Sequence, residues 1–154
     1  MNNLLSLLTT FSGRISRQQW WIGFVITLLG SVAGTVLFNP EMLISDEVVP
    51  PRWPDTIWQL AWLVPGTAIT VKRFNDRDWP WWLGYAFGAL GVFVYVAPHF
   101  GLLIDPDANA FGAIAFWVSL VAIVAAFVDN GFIRGTRGHN RFGPDPLAGA
   151  PQSA

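Results

Sequence analysis

Long runs without charged side chains constrain this sequence more than any other feature, because only a membrane accommodates several of them in so short a chain. One charged segment, 72–80 (KRFNDRDWP), stands between two of these runs. Of all 154 residues, 53% are hydrophobic and 12% are charged, against about 25% charged in soluble domains. Since so many charges are costly in hydrocarbon, 72–80 is predicted to be a water-facing hairpin between two transmembrane helices.

The apolar runs predict four transmembrane helices, at about 20–38, 57–74, 81–104 and 110–128. At about 1.5 Å per residue the first reaches ~28 Å, close to the thickness of the hydrocarbon core. It is too long for the apolar part of a cleaved signal peptide, so we expect it to be retained. The second run is the shortest. We expect it to span with Lys72 and Arg73 reaching to the headgroups and with a kink at Pro65.

The chain is therefore predicted to be an all-α integral membrane protein, with one four-span domain at 1–146 and an unstructured tail at 147–154. Leucines on one face of residues 2–11 predict a short interfacial helix before the first span; a frayed terminus is the alternative. Residues 39–56, acidic and rich in proline, predict an exposed loop in which Asp55 or Thr56 caps the second span. A short turn is expected at 105–109. Gly84 and Gly88 form a small-xxx-small pattern, which predicts close approach of a neighbouring helix.

Basic residues are concentrated in the segments that four alternating spans place on one side of the membrane. These residues are Arg14, Arg17, Lys72, Arg73, Arg77, Arg134, Arg137 and Arg141. Only Arg52 falls on the other side. Because positive charge in short loops favours the cytoplasm, both termini are predicted to be cytoplasmic.

Three motifs meet on that predicted cytoplasmic side: 11–21 (FSGRISRQQWW), 72–82 (KRFNDRDWPWW) and 135–146 (GTRGHNRFGPDP). In order and spacing they resemble the bacterial family known as domain of unknown function 805, over roughly 11–146. The second motif differs, since the family usually has Arg-Leu-His-Asp where this chain has Arg73, Phe74, Asn75 and Asp76. The resemblance implies a small multi-pass protein of the bacterial cytoplasmic (inner) membrane, and it supplies no reaction, cofactor or catalytic residue.

Three roles are open for the arginines of these motifs. They could set topology and anchor headgroups, which lysine would do equally well. They could make fixed charge-assisted contacts with carboxylates and tie the motifs into a small cytoplasmic cap. They could hold a lipid phosphate. The candidate residues for such a cap are Gly13, Arg14, Arg17, Trp20, Arg73, Asp76, Arg77, Asp129, Gly138, Asn140, Gly143 and Asp145.

Within the predicted cap, Arg73 is expected to pair with Asp129, because a carboxylate at the end of the fourth helix opposes the helix dipole and needs a cation. Asp76 and Asp145 are the other carboxylates available to the arginines. The three cap glycines are expected to allow close backbone approach. Asn140 carries an amide that can bridge backbone groups.

The sequence predicts no catalytic, cofactor-binding or metal site. Cysteine is absent, no serine has a recognisable base partner, and the histidines are isolated. His99 is expected to be a hydrogen-bonded interfacial residue. A net charge of −1 gives no indication of nucleic-acid binding. We therefore expect a non-enzymatic membrane protein that binds anionic phospholipid or a partner protein through its cap. The alternative is an oligomeric channel or carrier for a small solute, with Gln59 the first residue to examine.

Overall fold

The computed structural model describes residues 3–103 and 110–148, and over these ranges the chain is helical with no β-strand. The helices are α1 (Leu4–Thr9), α2 (Arg17–Phe38), α3 (Glu41–Ile44), α4 (Trp53–Asp76), α5 (Trp81–Val96) and α6 (Ala110–Phe132), with a 3₁₀ turn at Ala97–Phe100 after α5. The all-α prediction is thus confirmed. The predicted turn at 105–109 and most of the predicted tail, from residue 149 onward, lie outside the described residues.

Three of the described helical segments are long and apolar enough to cross a membrane: Arg17–Phe38, Trp81–Phe100 and Ala110–Phe132. These correspond to the first, third and fourth predicted spans. Helix α4 corresponds to the second, and it is not in this group. The four-span count therefore stays a prediction.

Helix α4 lies at the centre of the molecule and packs against both α2 and α5. It runs antiparallel to α2, because Thr35 near the end of α2 contacts Asp55 in the first turn of α4, and Arg14 just before α2 contacts Asp76 at the end of α4. Where α2 begins, Ser16 and the Gln19 side chain form a capping box that satisfies free backbone N–H groups.

Glycines on α5 bring it against α4 as closely as the small-xxx-small pattern predicted. A methyl group added at Gly84 would lie 2.7 Å from the Cα atom of Val71, and one at Gly88 would lie 2.8 Å from the Thr67 side chain. Such distances are below normal carbon contacts, so only a residue without a side chain fits. The pairing runs in opposite directions along the two helices, which makes α5 antiparallel to α4.

The predicted water-facing hairpin at 72–80 is partly wrong. Residues 72–76 form the last turn of α4 and are all buried, so only the residues after Asp76 make the exposed turn. Lys72 does not extend to the headgroups. Its ammonium group donates to the carbonyl oxygen of Ser6 at 2.9 Å and to that of Leu7. Those bonds hold α1 against α4, and Leu7 packs with Ile15 in the buried apolar cluster.

The predicted exposed loop at 39–56 is also only partly correct. It contains the short helix α3, and α4 begins at Trp53, so neither Asp55 nor Thr56 is its N-cap. Both of these residues are buried, as is Asn39. Asp55 therefore lies on a buried face of α4 and not in an exposed loop.

Candidate functional site

Arg14 connects the first motif to the other two. Its Nε atom donates to Asp76 Oδ1 at 3.0 Å. Its Nη1 atom donates to the carbonyl oxygens of Gly138 at 2.7 Å and Gly143 at 3.0 Å, and Nη2 donates to that of Thr136 at 2.6 Å. The guanidinium group is almost fully buried. Acceptors are thus present in every direction in which the planar guanidinium group can donate a hydrogen bond.

Arg73 uses the same carboxylate from the other side. It donates to Asp76 Oδ2, while its Nε atom donates to the carbonyl oxygen of Asn130 at 2.8 Å and Nη2 donates to that of Ile133. Arg73 is fully buried. One carboxylate therefore sits between two guanidinium groups, and each guanidinium group also donates to backbone carbonyls. We call Arg14, Arg73 and Asp76 the arginine network.

The carbonyls at the end of α6 explain much of this arrangement. The last carbonyls of a helix have no partner within it, and they form the negative end of its dipole. Arg73 bonds to the carbonyl of Asn130 in the last turn and to that of Ile133 just after the helix. Arg17 bonds to the carbonyl of Phe132 at 3.0 Å, and Trp21 Nε1 bonds to that of Gly131 at 3.1 Å. Side chains of the first two motifs thus cap the C-terminus of α6.

Asn140 and Asn75 complete the join between motifs. Asn140 Nδ2 donates to the carbonyl oxygen of Asn75 at 2.9 Å and to Thr136 Oγ1 at 2.9 Å. Asn75, where the resembled family usually has histidine, donates to the carbonyl oxygen of Gly13 at 3.1 Å. Each of the three motifs is therefore bonded to both of the others.

Asp129 does not pair with Arg73, so that expectation is wrong. Asp129 Oδ1 lies 3.3 Å from Nη2 of Arg77. The carboxylate that Arg73 contacts is instead that of Asp76, one turn further along α4, and its contacts to α6 are with backbone carbonyls. The choice between two arginines on one helix depends on their angle around its axis, which a sequence pattern resolves poorly.

Asp145 is not a partner of an arginine side chain either. Its carboxylate accepts the backbone N–H groups of Gly138 at 3.1 Å and Leu147 at 2.9 Å. These bonds, with the positive charges of Arg14 and Arg134 nearby, hold the pKa of Asp145 below its ordinary value. Its place in the structure is to fix the loop of the third motif.

The role expected for the three glycines is wrong as well. A methyl group added at Gly13, Gly138 or Gly143 would meet no atom within 4 Å. What they share is a positive φ, at 86°, 75° and 131° respectively, a region where side chains are disfavoured. The close approach occurs at Gly135 instead, where a Cβ atom would lie 1.8 Å from Asp76 Oδ2.

Trp20 is buried beneath the network in an aromatic cluster. Its ring stacks on Phe24 at 5.2 Å between centroids and meets Phe127 of α6 edge-on at 5.8 Å. It is thus a packing residue that joins α2 to α6.

Sequence reasoning missed Thr136 and Gly135. Thr136 donates both its N–H and its hydroxyl to the carbonyl oxygen of Asp76, at 2.8 and 2.9 Å. Both residues lie inside the third motif, so the motif itself was the available signal. Nothing in the residue types indicated that both contact Asp76.

Four arginines near the network remain exposed, and one of them, Arg141, pairs with Asp78 at 3.1 Å. Arg17, Arg134 and Arg137 have no carboxylate partner among the residues that the structure describes, and Arg17 and Arg134 line one small cleft together. Trp79, Trp81 and Trp82 are exposed at the same end of the molecule.

Comparison with known proteins places these features in context. The family model described as "Protein of unknown function (DUF805)" matches residues 8–144. The "Inner membrane protein YhaI" of Escherichia coli strain K12 is 24% identical over 140 residues, covering 91% of this chain and 88% of that protein. The "Uncharacterized protein YiiR" of the same strain is 28% identical over 143 residues, covering 90% and 86%. No solved structure gives a significant match.

Proposed function

Since this chain belongs to the family of proteins of unknown function DUF805, as the resemblance of its three motifs predicted, we propose that it is a non-enzymatic, four-span inner-membrane protein that binds anionic lipid headgroups. Its binding surface is formed by Arg17, Arg134 and Arg137, which the arginine network holds in place at the cytoplasmic end.

The packing of α4, the second predicted span, supports the count of four spans. It contacts α2 at both ends, through Thr35 and Asp55 at one and through Arg14 and Asp76 at the other. A helix that follows a membrane-crossing partner over its full length crosses the membrane with it. Its polar residues, such as Gln59, are buried among neighbouring helices, so its lower hydropathy does not expose polar groups to lipid.

The observation that carries the lipid proposal is the difference in burial between two groups of arginines. Arg14 and Arg73 are buried, and their guanidinium groups donate hydrogen bonds to acceptors within the protein. Arg17, Arg134 and Arg137 are exposed. Exposed cations beside tryptophans at a membrane surface attract anionic headgroups, at about 1 kcal/mol per basic residue.

Native mass spectrometry of the full chain in mild detergent tests this proposal. With phosphatidylglycerol and phosphatidylcholine added in equal amounts, we expect selective retention of phosphatidylglycerol, falling severalfold in an Arg134→Gln, Arg137→Gln double variant. Arg52→Gln removes a basic residue from the opposite end and serves as the matched control. Equal retention of both lipids, or an equal loss in the control, contradicts the proposal; retention of a second protein in place of lipid assigns the surface to a protein partner.

One observation favours the alternative of an oligomeric channel or carrier. Transporters place ionisable groups between their helices, and Asp55 and Gln59 are buried together on α4. A closed ring of subunits in native mass spectrometry, combined with solute flux in vesicles, would support this alternative.

A further inference from the structure

Asp55 is a buried carboxylate at the end of the molecule away from the arginine network. It is 7% exposed. Its Oδ1 atom accepts hydrogen bonds from Gln59 Nε2 at 3.1 Å and from Thr35 Oγ1 at 3.3 Å. No described residue donates to Oδ2, and no described basic side chain pairs with Asp55. A buried carboxylate supported only by neutral donors lacks the countercharge that usually offsets its burial.

Asp55 opens onto a cavity of about 450 Å³ between α2, α4 and α5, beneath the segment that joins α2 to α4. That volume is in the range of small-molecule sites. Polar atoms line one part of the cavity, from Ser31, Thr35, Gln59 and Tyr95. Much of the remaining described wall is apolar and is built by Met42, Val48, Val49, Val94, Pro98 and Leu103.

Charge at this end of the chain also favours a cationic occupant. Glu47 lines the same cavity, and none of its described lining residues is basic. Arg52 is the one basic residue in the sequence between residues 18 and 71, and it is paired with Glu41 at 2.6 Å. Such an excess of negative charge attracts cations toward the cavity.

We infer that this cavity binds a small organic ammonium ion, with the ammonium group at Asp55 and an apolar body against the aliphatic wall. Hydroxyl and amide oxygens of Thr35, Ser31 and Gln59 surround the carboxylate and can accept the remaining ammonium hydrogens. A hard metal ion needs six or more oxygen ligands, and the described residues contain no group of three acidic or histidine residues placed to hold one. This cavity lies at the opposite end of the molecule from the exposed arginines, so the inference does not depend on the proposed lipid binding.

Isothermal titration of the detergent-purified full chain with benzylammonium, and with benzyl alcohol as the neutral probe, tests the site. We expect benzylammonium to bind at least about tenfold more tightly than the alcohol, since buried charge pairs commonly contribute that much. Asp55→Asn keeps the shape of the side chain and should abolish the preference. Asp46→Asn makes the same change at an exposed position outside the cavity and should preserve it.

Val94→Phe provides a second variant if Asp55→Asn does not fold. It keeps the carboxylate, fills the cavity from α5, and should weaken benzylammonium binding about tenfold. Equal affinity of the wild-type chain for both probes overturns the proposal. So does displacement of benzylammonium by an equimolar amount of K⁺, which would assign the carboxylate to an inorganic ion.

Discussion

Arg14 shows why a guanidinium group rather than an ammonium group occupies its position. Its donors reach a carboxylate and three carbonyl oxygens that lie in different directions. A lysine carries its charge at a single atom and cannot span them. We expect Arg14→Lys to lower the free energy of unfolding by about 1–3 kcal/mol, as for other buried acceptors that lose their donors.

Thermal unfolding in detergent measures this effect, with Arg137→Lys as the control at an exposed arginine of the third motif. The control variant should melt like the wild type. If Arg14→Lys is equally silent, Arg14 contributes only positive charge, and the topological role alone remains.

Gly135 provides a second test at the scale of one residue. A methyl group there would lie 1.8 Å from a carboxylate oxygen of Asp76, whose other contacts leave it no room to move. We expect Gly135→Ala to lower the melting temperature and to cost about 1–3 kcal/mol, as overpacked sites do. Gly66→Ala is the control, since a methyl group at Gly66 meets nothing. Comparable melting of the two variants would refute the close contact.

The sequence predicted which residues belong to the site, but not which of them pair with each other. Arg14, Arg73 and Asp76 stand out because charge is rare in this chain, whereas the sharing of one carboxylate by two arginines depends on the third dimension. The glycines with positive φ were found for the wrong reason, because sequence does not distinguish a turn from a close contact.

Between elements, the contact of α4 with α5 should respond differently to substitution at its two ends. The Cβ atom of an alanine at Gly84 would meet backbone of α4, which cannot rotate away, whereas one at Gly88 would meet a threonine side chain, which can. Gly84→Ala should therefore destabilise more than Gly88→Ala, and Gly88→Leu should cost about 1–3 kcal/mol.

Melting of the purified variants in detergent gives the ranking, with Ala86→Leu on the exposed face of α5 as the control. If Gly84→Ala is the milder change, or if Gly88→Leu melts like Ala86→Leu, the α4 and α5 packing described above is wrong.

Helix α4 was the element that hydropathy described least well. Its last turn, 72–76, carries three charged residues and reads as a loop, yet these side chains are buried because each finds partners on α1, α6 or the first motif. The sequence likewise predicts its first turn as part of an acidic loop. The partner of Asp55 on α2 is distant in sequence, so the burial of Asp55 could not be predicted. Apolar periodicity predicts helices with a lipid-facing side; it does not predict a polar helix covered by others.

For the whole molecule, the distribution of basic residues predicts the orientation in the membrane. Reporter fusions after Thr10, within the turn at 78–79 and after Ala154 should read cytoplasmic, and one at Val48 should read external. The turn is preferred to Asn75 as an insertion point because Asn75 is buried. A fusion at 78–79 that reads external would exclude the four-span arrangement.

The membrane class and the family could be predicted from the sequence, because both depend on composition and on motifs that are contiguous along the chain. The cavity at Asp55 was not, since its walls come from three helices and a connecting segment that are separated in sequence.

The arginine network joins residue 14 to residues 73–76 and to residues 136–143. During synthesis the first two segments emerge before the third, so Arg14 is made before the carbonyl groups that accept its hydrogen bonds. A chain stopped after Phe132 keeps every helix of the described residues but leaves Arg14 without its three carbonyl partners. Pulse-chase in cells should show it degraded severalfold faster than one stopped after Leu147, and equal lifetimes would contradict this. We therefore expect that the chain is stable in the membrane only after its third motif has been synthesised.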